Sequence, residues 1–195
     1  MDIGELLSTM NTPNVYEETY RRLWKNRIIY FNSDIDTSIL ENLVVPILLL
    51  NEEEKDIPVE KLKPITIWIS SYGGCANETV YACEIIKKSR IPIHSKVLAI
   101  AASAGLYLNL ACHWRTASRN SIFLLHKGSL SLAGNSSEVE DTVDFYKDKI
   151  DGIITKLILE TTKLTDEDLK KIRRAETYAM GDEALEKYGF IDELY

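Results

Sequence analysis

Alternating strand and helix patterns over residues 65–125 constrain the fold of this chain more than any other feature of its sequence. Short β-branched and apolar runs predict strands at residues 65–69, 91–100 and 121–125, and the segments between them, 77–89 and 103–112, have the composition of helices. A βαβαβ alternation favours a mostly parallel sheet with right-handed crossovers and helices on its faces. The sequence therefore predicts an α/β fold.

Further elements are predicted on the N-terminal side of this region. A short strand at residues 27–31 lies between a helix at 17–25 and a second helix that Asp36 or Thr37 can cap. Pro46 lies inside the second helix, so either the helix kinks there or its boundary lies elsewhere.

Two short helices are predicted near the C-terminus. Thr165 and Asp168 have the spacing of a capping box, which predicts a helix that ends near Arg174. A further helix at residues 181–188 can end at Gly189, because glycine readily adopts the left-handed conformation found after helices.

A long amphipathic helix is predicted to begin at Ser137, with Glu140 completing its capping box. Its apolar positions are spaced alternately four and three residues apart, which produces a narrow stripe along about six turns. The stripe consists of Val139, Val143, Tyr146, Ile150, Ile153 and Leu157. Such a helix can face the core of its own domain, or it can project and pack against another subunit, and the pattern alone leaves both interpretations open.

The composition limits the function of the chain. With 195 residues, 45% of them hydrophobic, it has the size and make-up of one globular domain spanning residues 1–195. A net charge of -7 argues against a nucleic-acid partner. Its apolar stretches are shorter than the ~20 residues that cross a bilayer, and its N-terminus lacks a secretory signal pattern, so we expect no membrane association and a cytoplasmic location. Cys75, Cys83 and Cys112 lack the spacing of a disulfide framework or a zinc site.

Two motifs follow the carboxyl ends of predicted parallel strands, where ligands bind in open α/β sheets. After the first strand, Gly73 and Gly74 allow a backbone conformation that leaves the N–H of Gly74 free to point at an oxygen atom. After the second strand, Ser103 lies at a strand-to-helix junction between small residues, open to approach. Ser103 can act as a nucleophile or simply cap the helix, and the two glycines can equally form an ordinary turn.

A serine nucleophile requires a base that removes its proton, and the chain has three histidines. His126 follows the predicted strand at residues 121–125, which places it at the same sheet edge as Ser103 if that strand is parallel. His94 precedes the body of its strand, and His113 follows the far end of the helix that Ser103 opens. His126 is therefore the predicted base, and a carboxylate from the last part of the chain is expected to orient it.

Together these motifs resemble those of the Clp protease proteolytic subunit family. The resemblance extends over about residues 17–195 and is typical of a divergent or phage-encoded member. Its segments, in the order of the family, are 20–30 (YRRLWKNRIIY), 67–74 (IWISSYGG), 101–105 (AASAG), 123–128 (FLLHKG) and 184–192 (ALEKYGFID).

The resemblance implies a catalytic role for four residues: Ser103 as nucleophile, His126 as general base, and the N–H groups of Gly74 and Ala104 as an oxyanion hole. Glu176 stands where the family has its catalytic aspartate, and it keeps the charge and acceptor oxygens one methylene further from the backbone. Nearby alternatives for the third member are Asp166, Asp168 and Asp182.

The resemblance also implies the ββα superhelix shared by Clp proteases and crotonases. Residues 128–160 would form a projecting handle, and residues 1–16 a separate N-terminal segment. Expected partners are unfolded polypeptides, further copies of the chain in a heptameric ring or a tetradecamer of two stacked rings, and a AAA+ unfoldase. Thr177 stands where the family has an arginine that pairs between rings, and residues 1–14 do not resemble the family's axial loop.

The sequence thus predicts a serine endopeptidase that needs no metal or organic cofactor. Because the chain lacks a GxxxxGK[ST] phosphate loop, any dependence on ATP would belong to the unfoldase. Two alternatives stay open. One is a catalytically weak ring subunit that assembles or regulates an active paralogue, and the other is a crotonase-type acyl-CoA enzyme that would not require Ser103 and His126.

Overall fold

The computed structural model describes residues 15–129, 133–172 and 175–195. The predicted N-terminal segment therefore lies outside the described residues except for Val15 and Tyr16, which begin the first helix. Residues 130–132 of the predicted handle and the last two residues of the helix predicted to end near Arg174 also lie outside them. No helix in the described ranges combines the length and the apolar character that a bilayer crossing requires.

Strands and helices alternate along the chain. The strands are β1 Ile28–Phe31, β2 Ile65–Ser71, β3 Ile93–Ala102, β4 Trp114–Ala117, β5 Ile122–Leu125, β6 Thr177–Met180 and β7 Glu193–Leu194. The helices are α1 Val15–Lys25, α2 Val45–Glu53, α3 Ala76–Lys88, α4 Ala104–Ala111, α5 Ser136–Phe145, α6 Asp151–Thr161, α7 Asp166–Ile172 and α8 Gly181–Glu183. Three π-helical segments, Leu40–Val44, Tyr146–Ile150 and Ala184–Tyr188, precede α2, join α5 to α6 and follow α8, and Val59–Lys61 is a 3-10 turn.

The strands form one mixed sheet in which parallel pairing dominates. Its order is β1-β2-β3-β4-β7, all parallel, and β5 adds to β3 in parallel while β6 pairs with β5 in antiparallel orientation. The predicted α/β class is therefore confirmed. Strands β4, β6 and β7 were not predicted, since each has only two to four residues and no clear apolar alternation.

Strand β3 changes partners along its length, and this change builds the site. Its first half pairs with β4 through residues 94–97, and its last residues, 100–102, pair with β5. Beyond the end of β3, the N–H of Ser103 donates a hydrogen bond of 2.8 Å to the carbonyl of Leu124 in β5. The carboxyl ends of β3 and β5 therefore lie side by side.

Helix α4 is buried along its whole length, so it cannot shift relative to the sheet without exposing apolar surface. Every residue from Ala104 to Ala111 is buried, among them Leu106, Leu108 and Leu110. A helix that is hydrophobic on all sides belongs to a protein interior. The first turn of α4, directly after Ser103, is consequently held in a fixed position at the edge of the sheet.

The long helix begins earlier than predicted. Its N-cap is Asn135, whose side-chain oxygen accepts from the N–H of Glu138 at 3.0 Å, while the Glu138 carboxylate accepts from the N–H of Asn135 at 3.3 Å. The prediction of a box between Ser137 and Glu140 was therefore wrong. Asparagine is as good an N-cap as serine, and the same four-residue spacing occurs two residues earlier in the sequence.

The buried stripe of this helix also differs from the predicted one at Ile153, which is 49% exposed. Ile154 instead packs against the core, and Leu157 and Ile158 are both buried. The cause is the π-helical segment Tyr146–Ile150, because its wider turn adds a residue and rotates the following positions. Helix α5, before that segment, buries none of its residues.

Two predicted helix boundaries are confirmed. Thr165 and Asp168 exchange side-chain and backbone hydrogen bonds of 3.1 and 3.2 Å at the start of α7. Gly189 ends the last helical segment with φ of 70°. Pro46 lies in the first turn of α2, which continues the π-helical segment Leu40–Val44 without a break in the helical backbone.

Candidate active site

The loop after β2 passes against the start of α4 in a conformation that requires glycine. Gly73 and Gly74 have φ of 105° and 149°. A Cβ atom on Gly73 would lie 2.8 Å from the Ala102 carbonyl oxygen, and one on Gly74 would lie 2.2 Å from that of Ile35. Ile35 anchors the loop, because its N–H donates to the Gly73 carbonyl at 2.8 Å and its carbonyl accepts from the N–H of Cys75 at 2.7 Å.

Ser103 has a strained backbone. Its φ of 54° and ψ of -123° are unfavourable for a residue with a side chain, and such strain persists only where the surrounding structure enforces it. Here the enforcing contacts are the 2.8 Å bond to Leu124 and the bonds that its carbonyl accepts from Leu106 and Tyr107 at 3.0 and 3.3 Å. Ser103 occupies the N-cap position of α4, yet its side chain makes no capping hydrogen bond. The hydroxyl is therefore not used to start the helix.

His126 follows β5 directly and is half-buried. It lines a cavity of about 500 Å³ together with Ser103, Gly74 and Ala104. The structure thus brings together four of the five residues that the resemblance implicates. Among the described residues, no hydrogen bond joins the Ser103 hydroxyl to the His126 ring.

Two residues that line the cavity with Ser103 have backbone N–H groups without a hydrogen-bond partner in the described part of the chain. Ala104 is the first residue of α4, where an N–H has no acceptor within the helix. The N–H of Gly74 lies in the loop that the bonds of Gly73 and Cys75 to Ile35 hold in place. Both residues line the cavity. Because helix N-termini also carry partial positive charge, this wall of the cavity favours a negatively charged oxygen.

Glu176 lies outside the cavity lining and is exposed. Its carboxylate accepts a hydrogen bond of 3.1 Å from the Tyr178 hydroxyl, and this contact raises the pKa of Tyr178. The β5-β6 ladder ends with Leu125 opposite Thr177, so a further step in the same register puts Glu176 opposite His126. Residues opposite each other on antiparallel strands direct their side chains to the same face.

The three alternative aspartates are at the surface, two of them with other partners. Asp168 accepts from the Thr165 hydroxyl, which lowers its pKa, as does the Thr165 N–H. Asp182 pairs with Arg119 at 2.7 Å. Asp166 is exposed in the first turn of α7. None of the three lines the cavity.

The other two histidines lie at the opposite end of β3 from Ser103. The Nδ1 atom of His113 accepts a hydrogen bond of 3.0 Å from the N–H of Ile93, the first residue of β3. His94 follows Ile93, and partial burial, followed by the proximity of His113, lowers its pKa. Neither histidine lines the cavity.

Several residues of the cavity wall were not predicted from the sequence. Tyr107 lies one turn after Ser103 in α4, and Lys147, Asp151 and Thr155 come from the long helix. The spacing of four residues between Ser103 and Tyr107 was a usable signal, since such residues share a helix face. No sequence pattern predicted that the long helix lines the cavity, because this depends on how that helix packs against α4.

The three cysteines have different environments. Cys75 is exposed and lines the cavity beside Gly74. Cys83 and Cys112 are buried, and burial raises the pKa of both thiols, that of Cys112 to about 12. A reagent that attacks thiolates will therefore encounter one accessible thiol, at the mouth of this site.

Comparison with known proteins extends over nearly the whole chain. A sequence profile of the family described as Clp protease matches residues 11–195. The ATP-dependent Clp protease proteolytic subunit 1 of Corynebacterium jeikeium is 27% identical over 186 residues, covering 94% of each chain. Proteolytic subunit 2 of Thermobifida fusca is 26% identical, covering 92% of this chain and 86% of its own. Proteolytic subunit 2 of Frankia casuarinae is 28% identical, covering 93% and 85%.

Proposed function

Because this chain belongs to the Clp protease family, we propose that it is a serine endopeptidase subunit that cleaves unfolded polypeptides inside a ring-shaped homo-oligomer. The observation that carries the proposal is the environment of Ser103. Within the described residues, its hydroxyl makes no capping bond and its backbone forms a strained strand-to-helix turn. The residue borders one cavity with an imidazole and with two N–H groups that have no partner in those same ranges. Each of these features serves acyl transfer.

In the proposed reaction, Ser103 attacks the carbonyl carbon of the scissile peptide bond while His126 accepts the hydroxyl proton. The carbonyl oxygen gains negative charge and accepts hydrogen bonds from the N–H groups of Gly74 and Ala104. His126 then donates its proton to the leaving amine, which leaves an ester on Ser103. Water, activated by the same imidazole, hydrolyses that ester. The steps use only side chains and backbone of this protein, without a metal or organic cofactor.

Glu176 is the proposed third member of the triad. In the isolated chain its carboxylate accepts from Tyr178, and the register of the β5-β6 ladder, continued one step beyond its last pair, would put its backbone opposite His126. Rotation of the Glu176 side chain away from Tyr178 would allow it to accept from the second imidazole nitrogen. A glutamate has the reach and rotamer freedom for either contact.

Exposed apolar side chains support the proposed assembly. Val15 and Tyr16 of α1 are 81% and 77% exposed, and Val45, Leu48 and Leu49 of α2 are about half exposed. Clusters of this kind on a small chain indicate interaction surfaces. We propose that they are covered by neighbouring copies in a heptameric ring, alone or stacked in pairs, in the cytoplasm, and that a AAA+ unfoldase delivers the substrate. In this proposal residues 1–195 act as one domain.

A second candidate is a catalytically weak subunit that supports an active paralogue. Two observations favour it: the Ser103 hydroxyl and the His126 ring are not hydrogen-bonded within the described residues, and Glu176 is occupied by Tyr178. The match to the Clp protease family favours either candidate over a crotonase-type acyl-CoA enzyme.

The proposal is tested with the purified, assembled protein on a fluorescently labelled unfolded polypeptide. We expect hydrolysis by the wild type and by Ser137→Ala, which changes an exposed serine at the start of the long helix, and none by Ser103→Ala. Rings that assemble but hydrolyse nothing would instead support the catalytically weak subunit. Equal hydrolysis by Ser103→Ala would refute both the nucleophile and the mechanism.

A further inference from the structure

The cavity beside Ser103 is lined by a group of aliphatic side chains together with several polar and charged ones. The long helix and α7 supply its aliphatic wall, from Val143, Ile150, Ile154, Ile158, Leu169 and Ile172. Ser103 and His126, which follow β3 and β5, line the same cavity. A cavity of about 500 Å³ with this lining has room for a long side chain and favours an apolar stem.

Tyr107, on α4, brings to this cavity a hydroxyl that has no hydrogen-bond partner among the described residues. The residue is only 8% exposed, and its hydroxyl makes no hydrogen bond within residues 15–129, 133–172 and 175–195. In the same ranges, the side-chain polar atom that is shielded from solvent and also lacks a hydrogen-bond partner is an oxygen of Glu78. The Tyr107 hydroxyl lacks a partner too, so it is not fully shielded from solvent. The Tyr107 hydroxyl therefore borders open space, and the space that Tyr107 lines is the cavity.

The charged residues of the cavity lining limit which side-chain tips can bind there. Burial and, to a lesser degree, the Asp151 carboxylate raise the pKa of Tyr107 to about 12, so the phenol is neutral at physiological pH and both donates and accepts. Asp151 disfavours an anionic group beside it. Lys127 and Lys147, which line both the cavity and an adjoining surface groove of about 660 Å³, disfavour a cationic one.

We propose, on the basis of the peptidase function above, that this cavity receives the substrate side chain on the acyl side of the scissile bond and that Tyr107 selects a long side chain with a neutral hydrogen-bonding tip, of which glutamine is the best fit. An apolar side chain of equal length would remove water from the Tyr107 hydroxyl and leave it unpaired. A site built to hydrogen-bond its ligand discriminates against an analogue that lacks the matching group.

The test measures binding and therefore does not depend on catalysis. Two short peptide amides, identical except for a C-terminal glutamine or norleucine, are titrated against the assembled Ser103→Ala protein by ligand-observed saturation-transfer NMR. We expect the glutamine peptide to bind at least about fivefold more tightly, and the additional substitution Tyr107→Phe to reduce this ratio to about one. Tyr81→Phe, which removes a hydroxyl from the exposed side of α3, is the matched control and should leave the ratio unchanged.

A second comparison uses Asp151, which is partly exposed on the long helix. Its replacement should therefore leave the protein folded, whereas a change in the core can unfold it. The wild-type cavity should bind a peptide ending in glutamate several-fold more weakly than the glutamine peptide, and Asp151→Asn should reduce that difference. Three results would overturn the inference: an unchanged glutamine-to-norleucine ratio in Tyr107→Phe, an equal effect of Tyr81→Phe, or no binding of either peptide. Failure of the proposed peptidase function has a different result: the wild-type protein would hydrolyse nothing. The glutamine-to-norleucine binding ratio would still show whether Tyr107 selects the side chain.

Discussion

Ser103 and Leu124 are joined by a hydrogen bond of 2.8 Å from the N–H of the serine to the carbonyl of the leucine. This bond connects the end of β3 to β5, the strand that leads directly to His126. The hydroxyl and the imidazole therefore depend on the same pair of strands for their relative position. Substitutions that weaken the pairing of β3 with β5 should reduce peptide hydrolysis even where they contact neither the Ser103 nor the His126 side chain.

The glycine loop offers a test of this dependence. Gly74→Ala should reduce peptide hydrolysis by at least about a hundredfold, because its Cβ atom would lie 2.2 Å from the Ile35 carbonyl oxygen and the N–H of residue 74 would move. The matched control is Gly152→Ala, since a Cβ atom there meets nothing within 4 Å in α6. This control should keep full activity and stabilise the fold by about 0.5–1 kcal/mol. Initial rates and thermal unfolding curves would show both effects, and an active Gly74→Ala protein would contradict the proposed role of the loop.

Glu176 and Tyr178 form a pair whose separation should favour catalysis. Glu176→Gln should lower kcat by about two orders of magnitude or more, because an amide cannot stabilise the imidazolium of His126 as a carboxylate does. Tyr178→Phe should keep or increase kcat, since it removes the donor that holds the carboxylate away from His126. Steady-state kinetics on a fluorogenic peptide would measure both, with Asp182→Asn as a surface control. A normal kcat in Glu176→Gln would exclude Glu176 from the triad.

Two ion pairs in this chain should differ strongly in their contribution to stability. Arg115 and Asp192 are 11% and 25% exposed, at 2.6 Å, and Arg115 also donates to the carbonyls of Thr161 and Gly189. Asp192→Ala should lower the free energy of unfolding by about 3–5 kcal/mol, because it leaves a largely buried guanidinium without its counter-charge. The Arg119–Asp182 pair is 71% and 44% exposed, so Asp182→Ala should cost less than about 1 kcal/mol.

Urea unfolding of both variants would measure this difference. Similar losses in the two variants would mean that the Arg115–Asp192 pair does not hold the C-terminal strand β7 in place.

The three cysteines provide a chemical test of the cavity. Brief treatment with a maleimide should modify Cys75 alone, because Cys83 and Cys112 are buried and their raised pKa values keep them as thiols. A bulky adduct on Cys75 should also block hydrolysis, since Cys75 lines the cavity beside Gly74. Mass spectrometry and activity assays would follow the two effects. Cys75→Ser should remain active after treatment, and inhibition of that variant would place the sensitive group elsewhere.

Much of the fold and part of the site could be predicted from local patterns. Ser103 and His126 each follow a β-branched or apolar strand, so strand direction alone assigns them to one sheet edge. The packing of Ile154, rather than Ile153, against the core could not be predicted, because it depends on a π-helical turn that no residue pattern predicts.

The contact of Glu176 with Tyr178 could not be predicted from the sequence either. The contact spans only two residues, but it depends on the side-chain positions in β6, a four-residue strand without apolar alternation. Tyr107 could have been found from its spacing to Ser103, whereas its unpaired hydroxyl becomes visible only once the long helix closes the cavity over it.

The most direct test of the nucleophile is covalent labelling of the assembled protein with a fluorophosphonate, followed by peptide mass spectrometry. We expect one adduct, on the hydroxyl of Ser103, which is absent in Ser103→Ala and strongly reduced in His126→Ala, because that variant lacks the base that activates the hydroxyl. Labelling that persists in Ser103→Ala, or an adduct confined to another residue, would contradict the account.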